Sequence, residues 1–241
     1  MNLQQKVKLT LLTTNVLALI GILFFFSVWG FAVSVIMFVI YSFGVSGGFH
    51  RLFAHRSFET NRVVWWFLLL SGTLASIGSS ISWIGQHRLH HAKSDVEGQD
   101  PYYSHGNVLG YWIFGPWAIP NSPLMIKDLL RDPAHKWLHN NYFKVIIAWA
   151  VLLFLINPVL VFWMWAVPSA ATFFSLQVVG GLGHVVGHRI YDTDDKSKNC
   201  DWLNVITLGE SYQNTHHHDT KIIVLGRYDV IGWTIKYFLA K

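Results

Sequence analysis

With a single cysteine, Cys200, the 241-residue chain has no internal disulfide, and nothing in it calls for an oxidising compartment. Charge is scarce as well. Only 13% of residues are Asp, Glu, Lys or Arg, against about 25% in a soluble domain. Such a deficit argues against a water-soluble globule and for a bilayer. What fills the space is apolar, with 52% hydrophobic residues and twelve tryptophans, the residue enriched where helices meet a membrane interface. The formal charge of +5 suits acidic headgroups or an anionic protein partner, and no nucleic-acid partner is expected. Against this background, thirteen histidines stand out.

About 20 uncharged apolar residues cross a bilayer. Leu9–Val28 is one such run, and Gly30–Phe49 is a second, separated by a turn near Ser27–Gly30. Lys6 and Lys8 give the first run the look of a signal peptide, but no small-residue cleavage site follows, so a retained span is expected. A third span is expected at about 143–157, centred on Val145–Ile156, and a fourth at about 159–183, after a turn at Asn157–Pro158. The segment 63–80 is apolar but rich in small residues, and is expected to lie in the interface. All eighteen Lys and Arg, and all the histidines, fall in the N-terminal tail, in 50–144 or in 184–241. With four spans these segments share one face, which the positive-inside rule makes cytoplasmic. The expected fold is therefore all-α: a single domain over 1–241, multi-pass in the membrane, with four transmembrane helices, interfacial helices and a cytoplasmic histidine-rich cap.

The histidines fall into groups. His50 and His55 stand where the second span leaves the membrane. His87, His90 and His91 have i, i+3, i+4 spacing and share one helix face. His216, His217 and His218 form a third group, and His184 and His188 lie one helical turn apart. Imidazole suits zinc, copper, iron or nickel. Eight or so imidazoles exceed one tetrahedral site and suit two metals of four or five ligands each.

These motifs resemble the membrane fatty acid desaturases, in particular the delta-9 group of stearoyl-CoA and cyanobacterial acyl-lipid enzymes. The resemblance runs from about Gly44 to His218. It includes His50-x4-His55 within GGFHRLFAHRSF, and His87-x2-His90-His91 preceded by Trp83 and followed by Asp100-Pro101. It continues through His184-x6-Tyr191-Asp192, and through Gly209-Glu210 leading to His216-His217. It implies two ferrous iron ions held by His50, His55, His87, His90, His91, His184, His216 and His217, with dioxygen as co-substrate. It also implies an acyl tunnel bend at Trp83, and Asp192 and Glu210 as the groups that orient ligating imidazoles. Ser94 and Asp95 are read as orienting or capping groups. His105, His135 and His139 match no box and are read as surface or structural. Neither a nicotinamide or flavin fingerprint nor a fused electron carrier is present, so a separate ferredoxin or cytochrome b5 is the expected donor, docking on the basic face around Lys127, Arg131 and Lys136.

Two positions depart from the family pattern. Gln213 stands where the third box usually has histidine, and is read as a weak or water-mediated ligand, with His188 or His218 as substitutes. Gly180 stands where the family often has an Asn that holds a metal-bound water. The alternatives are a related membrane di-iron hydroxylase and a desaturase-like chain without activity. From other classes come a haem protein, which needs paired histidines inside the bundle, and a metal transporter, which needs ligands near the bilayer midplane.

Overall fold

The computed structural model of the chain describes residues 3–103 and 122–241. His105 lies outside them. The described residues are helical and contain no β-strand, only isolated bridges joining Asn199 to His188 and to Tyr212.

Helix α1 (Leu3–Phe24) and α2 (Val28–Ser42) follow one another across a short turn, and both pack against the stretch Val161–Leu182. The turn lies at Phe25–Ser27 rather than at Ser27–Gly30, because Ser27 caps α2 by accepting a hydrogen bond from Gly30 N at 2.9 Å. Helix α2 does not stop at Phe49. It continues without a break as a π-helix, Phe43–Ala54, which carries His50. Such widened turns are frequent at functional sites. Helix α3 (Arg62–Leu74) packs along this π-helix, and the approach is close enough that a Cβ on Gly44 would sit 2.1 Å from Gly72 N.

Asn61 starts α3 by accepting from Val63 N and Val64 N. The expected interfacial helix 63–80 ends early, at Leu74, because Ser76 (φ 64°) and Gly78 (φ 117°) adopt left-handed conformations that no helix continues through. Ser79 then caps α4 (Ser80–Lys93), the helix of the second histidine group.

A short α5 (Lys127–Arg131) leads to α6 (Pro133–Ile156). The third apolar segment thus begins ten residues before its expected start, since Asp132 caps a polar first half with Pro133 in the first turn. Six π-helical residues, Val161–Ala166, open α7 (Val167–Leu182). Beyond it come α8 (Asn204–Thr207), α9 (Gln213–His218) and α10 (Val230–Thr234), the last extended as a π-helix to Leu239.

Among the described residues, four stretches are long and apolar enough to cross a membrane: Gln5–Phe24, Val28–Ala54, Pro133–Ile156 and Val161–Leu182. Large apolar side chains such as Leu23, Phe24, Trp29 and Leu155 point outward from them. Side-chain hydrogen bonds tie these stretches to one another and to the turn after α3. Ser34 Oγ donates to Trp163 O, Tyr41 Oη to Met164 O, Trp149 Nε1 to Tyr41 Oη and Trp165 Nε1 to Ser76 Oγ. At one end, Phe49, Leu52, Phe53, Leu68, Leu69, Ile81 and Ile84 form an apolar cluster beneath the histidines, closed by Ile231 and Ile235.

Candidate metal centre

Four segments far apart in sequence converge here. The π-helix supplies His50, and His55 follows its end; α4 supplies His87, His90 and His91; the turn after α7 supplies His184; α9 supplies His216 and His217. The spacing on α4 places three rings on one face, as period 3.6 requires.

The rings sort into two sets. His50, His55, His87, His91 and His216 offer ring nitrogens that all lie within 4.8 Å of one another, and so do His90, His184 and His217. Within each set Nε2 atoms approach one another, His90 and His217 at 3.3 Å in the smaller one. His50 and His216 stand 2.9 Å apart through Nε2, His55 and His87 2.7 Å, His87 and His91 3.1 Å, and His91 and His216 3.0 Å. Adjacent ligands on a metal with bonds of about 2.1 Å lie roughly 3.0–3.4 Å apart. The set therefore has about the dimensions of a coordination shell.

Protonation agrees with that. Burial first, then neighbouring imidazoles, push His87, His91 and His216 well below the ordinary histidine range, and His55 to about 2. His217 is pushed to about 4, by burial that outweighs the pull of Asp195. These five rings are neutral near pH 7, which is the ligating form. Lone pairs on several neutral rings turned toward one point repel unless a cation lies among them. His184 Nε2 is buried with no hydrogen-bond partner among the described residues, as a nitrogen reserved for a ligand bond would be. The residues fit a metal pair.

Behind the imidazoles stand carboxylates. Glu210 Oε2 lies 2.6 Å from His50 Nδ1, Asp100 Oδ1 2.8 Å from His90 Nδ1, Asp95 Oδ2 2.8 Å from His184 Nδ1 and Asp195 Oδ2 2.5 Å from His217 Nδ1. Such partners fix the tautomer, turning the lone pair of Nε2 inward. Asp192, expected in this role, is a correction. Its side chain is fully exposed and, among the described residues, reaches only Arg189, at 3.9 Å. Asp195, three residues on, reaches the site instead. Burial would raise Glu210, but the His50 ring and the Arg51 guanidinium hold it well below the usual carboxylate range. Asp195 is also held low, burial being outweighed by the hydrogen bond with His217.

Arg51 and Asp229 carry no signal at the level of single residues, yet they anchor the centre. Arg51 is buried, and donates to Glu210 Oε1, to both carboxylate oxygens of Asp229 and to Ile223 O. Ser46 Oγ also donates to Glu210 Oε1, at 2.5 Å.

The remaining sequence candidates are placed as follows. Gln213 is buried, and its Nε2 donates to Glu210 O at 2.7 Å. His188 and His218 are exposed and join neither set; His218 stacks on Tyr191. His135 and His139 bond Ser80 Oγ and Ser79 Oγ, pinning α6 to the start of α4. Trp83 stacks on the His87 ring, 5.0 Å away and 10° from parallel. It also lines a cavity of about 1100 Å³, mouth included, that runs from His50, His87, His90 and His184 past Gly180 and Gln213 to Ile77, Phe173, Leu176 and Val179.

Similarity to known proteins agrees with this geometry. The chain is 35% identical over 187 residues to an sn-1 stearoyl-lipid 9-desaturase of Anabaena variabilis, covering 72% of this chain and 65% of that protein. It is 30% identical over 209 residues to an sn-2 palmitoyl-lipid 9-desaturase of Nostoc sp. (strain 36), covering 81% and 73%. A hex-5-enoyl-[acyl-carrier protein] acetylenase of Moorena producens is 31% identical over 202 residues, covering 72% and 61%. The chain thus spans about two thirds of the length of these relatives. The fatty acid desaturase family model matches residues 9–222, a stretch that holds every imidazole of both sets, and the chain belongs to that family.

Proposed function

We propose that the chain is an oxygen-dependent fatty-acyl desaturase, and that it introduces a cis double bond at the delta-9 position of an acyl lipid or acyl thioester. One observation carries this reading most: two sets of inward-facing imidazoles stand at the head of an apolar cavity. His50, His55, His87, His91 and His216 would hold one ferrous ion, and His90, His184 and His217 the other. The bound iron pair supplies the oxidising power for removing hydrogen from unactivated methylenes, with dioxygen as oxidant and electrons from a separate donor.

The chain's own residues position and exclude. Asp100, Asp95 and Asp195 hold protons on Nδ1 of His90, His184 and His217, which keeps each Nε2 free to ligate, and Glu210 stands 2.6 Å from His50 Nδ1. Ile77, Phe173, Leu176 and Val179 keep water from the acyl chain, and Trp83 beside His87 sets where the chain lies against the centre. An acyl chain offers no polar handle at the reacting bond, so the shape of the wall selects it.

The four apolar helices cross the membrane as two hairpins, with the turns near 25–27 and 157–160 on one side and the histidines on the cytoplasmic side. Helix α3 lies in the interface, and residues 1–241 act as one domain. Lys127, Arg131 and Lys136 are exposed on α5 and α6, and form a basic face for an acidic ferredoxin or cytochrome b5. The relatives' names, two acting on lipid-borne chains and one on a carrier-protein-borne chain, support acyl substrates of either carrier.

The test is expression in a bacterium lacking such activity, with a competent donor, followed by double-bond mapping of total fatty acids. A new cis alkene at delta-9 is expected. Hydroxylated chains without alkene, or unchanged lipids from iron-loaded protein, would overturn the proposal.

A further inference from the structure

The two imidazole sets differ in a way that this chain's own departures from the family pattern make pronounced. Among the described residues, one set has five imidazoles and the other three. Neither Gly180 nor Gln213 adds an imidazole to the smaller set. Glycine has no side chain, and Gln213 spends its amide nitrogen on Glu210 O. Both residues line the cavity beside His90 and His184; the cavity also reaches His50 and His87 of the larger set, so the smaller set is the open one by its ligand number rather than by exposure.

The carboxylates are distributed the opposite way. Every imidazole of the smaller set has its own: Asp100 behind His90, Asp95 behind His184 and Asp195 behind His217. Among the described residues, the larger set has Glu210 alone, behind His50. Asp95 is fixed in turn by accepting from Lys196 N, and Asp195 by accepting from Ser197 N and Oγ. A carboxylate on Nδ1 raises the basicity of the ligating nitrogen, and its loss typically costs about 10–100-fold in metal affinity.

We propose that the two sites hold metal unequally: a closed, five-imidazole site that exchanges slowly, and an open, three-imidazole site whose metal exchanges fast and depends on Asp95, Asp100 and Asp195. Ligand number sets the slow site, and carboxylate support sets the fast one. This rests on the two-metal reading given above, but its test does not use desaturation.

Purified protein loaded with zinc(II) alone, a metal without redox chemistry, is mixed with excess chromogenic chelator and release is followed by absorbance. Two phases are expected, each of about one zinc per chain. Asp195→Asn should speed the fast phase by about 10-fold or more and leave the slow phase unchanged. Asp195→Glu should recover part of the loss. Gln213→His, which adds an imidazole beside the open set, should slow the fast phase. Unfolding temperatures of all variants identify any that have simply lost structure; Gln213→His tests the idea without removing a support. Release of both ions in one phase, or equal acceleration of both phases by Asp195→Asn, would overturn the inequality. Absence of bound zinc altogether would instead overturn the two-metal reading itself.

Discussion

Arg51 donates through Nη2 to Glu210 Oε1 at 2.7 Å, and the other oxygen of that carboxylate lies 2.6 Å from His50 Nδ1. One guanidinium in the first histidine segment thus sets the carboxylate that backs the neighbouring ligand, although Glu210 is 159 residues further along the chain. Arg51 also holds Asp229 at 2.9 Å, so a single side chain joins the π-helix, the third histidine box and the start of α10. Removing one partner from a buried pair leaves an uncompensated charge, at a cost of about 3–5 kcal/mol. Arg51→Ala is therefore expected to lower the unfolding temperature of the detergent-solubilised protein sharply and to reduce its metal content. A thermal shift within error of wild type would contradict the anchoring role.

Glu210→Gln preserves shape and much of the packing but removes the charge facing His50. Metal content of the five-imidazole set should fall by about 10-fold in apparent affinity, with a much smaller loss of stability than Arg51→Ala causes. Equilibrium dialysis against buffered zinc reads the first quantity and thermal unfolding the second.

The pH dependence of stability has an identifiable part in Asp128. Burial pushes this carboxyl up, but hydrogen bonds from Arg88 and Arg56 outweigh it and hold Asp128 well below its ordinary value of 3.8. A depressed folded pKa means that the contribution is complete above the unfolded value and is lost as pH falls below it. Stability is thus expected to drop as pH falls from about 5 toward 3, the range in which unfolded carboxyls titrate. Asp128→Asn should flatten part of that slope. Because Arg56 and Asp128 are partly exposed, the effect at pH 7 is small, up to about 1 kcal/mol. Unfolding midpoints of wild type and variant across pH 3–7 check it; parallel curves would contradict it.

Trp83 makes a prediction about selectivity. Trp83→Ala opens the cavity wall next to His87, and is expected to spread the double bond over neighbouring positions while leaving metal content near wild type. Double-bond mapping beside elemental analysis reads both. A single unchanged product position would show that Trp83 does not set the register of the chain.

Much of this centre was legible in the sequence because its spacing is local. His87, His90 and His91 share a face by helical period alone, and His216 and His217 are adjacent. Span boundaries were less legible. Hydropathy locates apolar runs, but Ser27, Asn61 and Asp132 set the helix starts through capping bonds. The supporting carboxylates were hardest to read. Asp95 meets His184 from 89 residues away and Asp195 meets His217 from 22, contacts decided by loop geometry. In the run around Asp192 and Asp195, nothing local tells which acid turns inward. The turn fixed by Ser197 points Asp195 to His217 and leaves Asp192 in solvent.

The central claim is that eight imidazoles from four segments form one two-metal centre. The most direct test is elemental analysis of protein loaded with excess ferrous iron under anaerobic conditions and desalted rapidly, alongside His87→Ala and His217→Ala. The account predicts two irons per chain in wild type and a loss of about one in each variant. Iron absent from wild type, or unchanged by both substitutions, would contradict it.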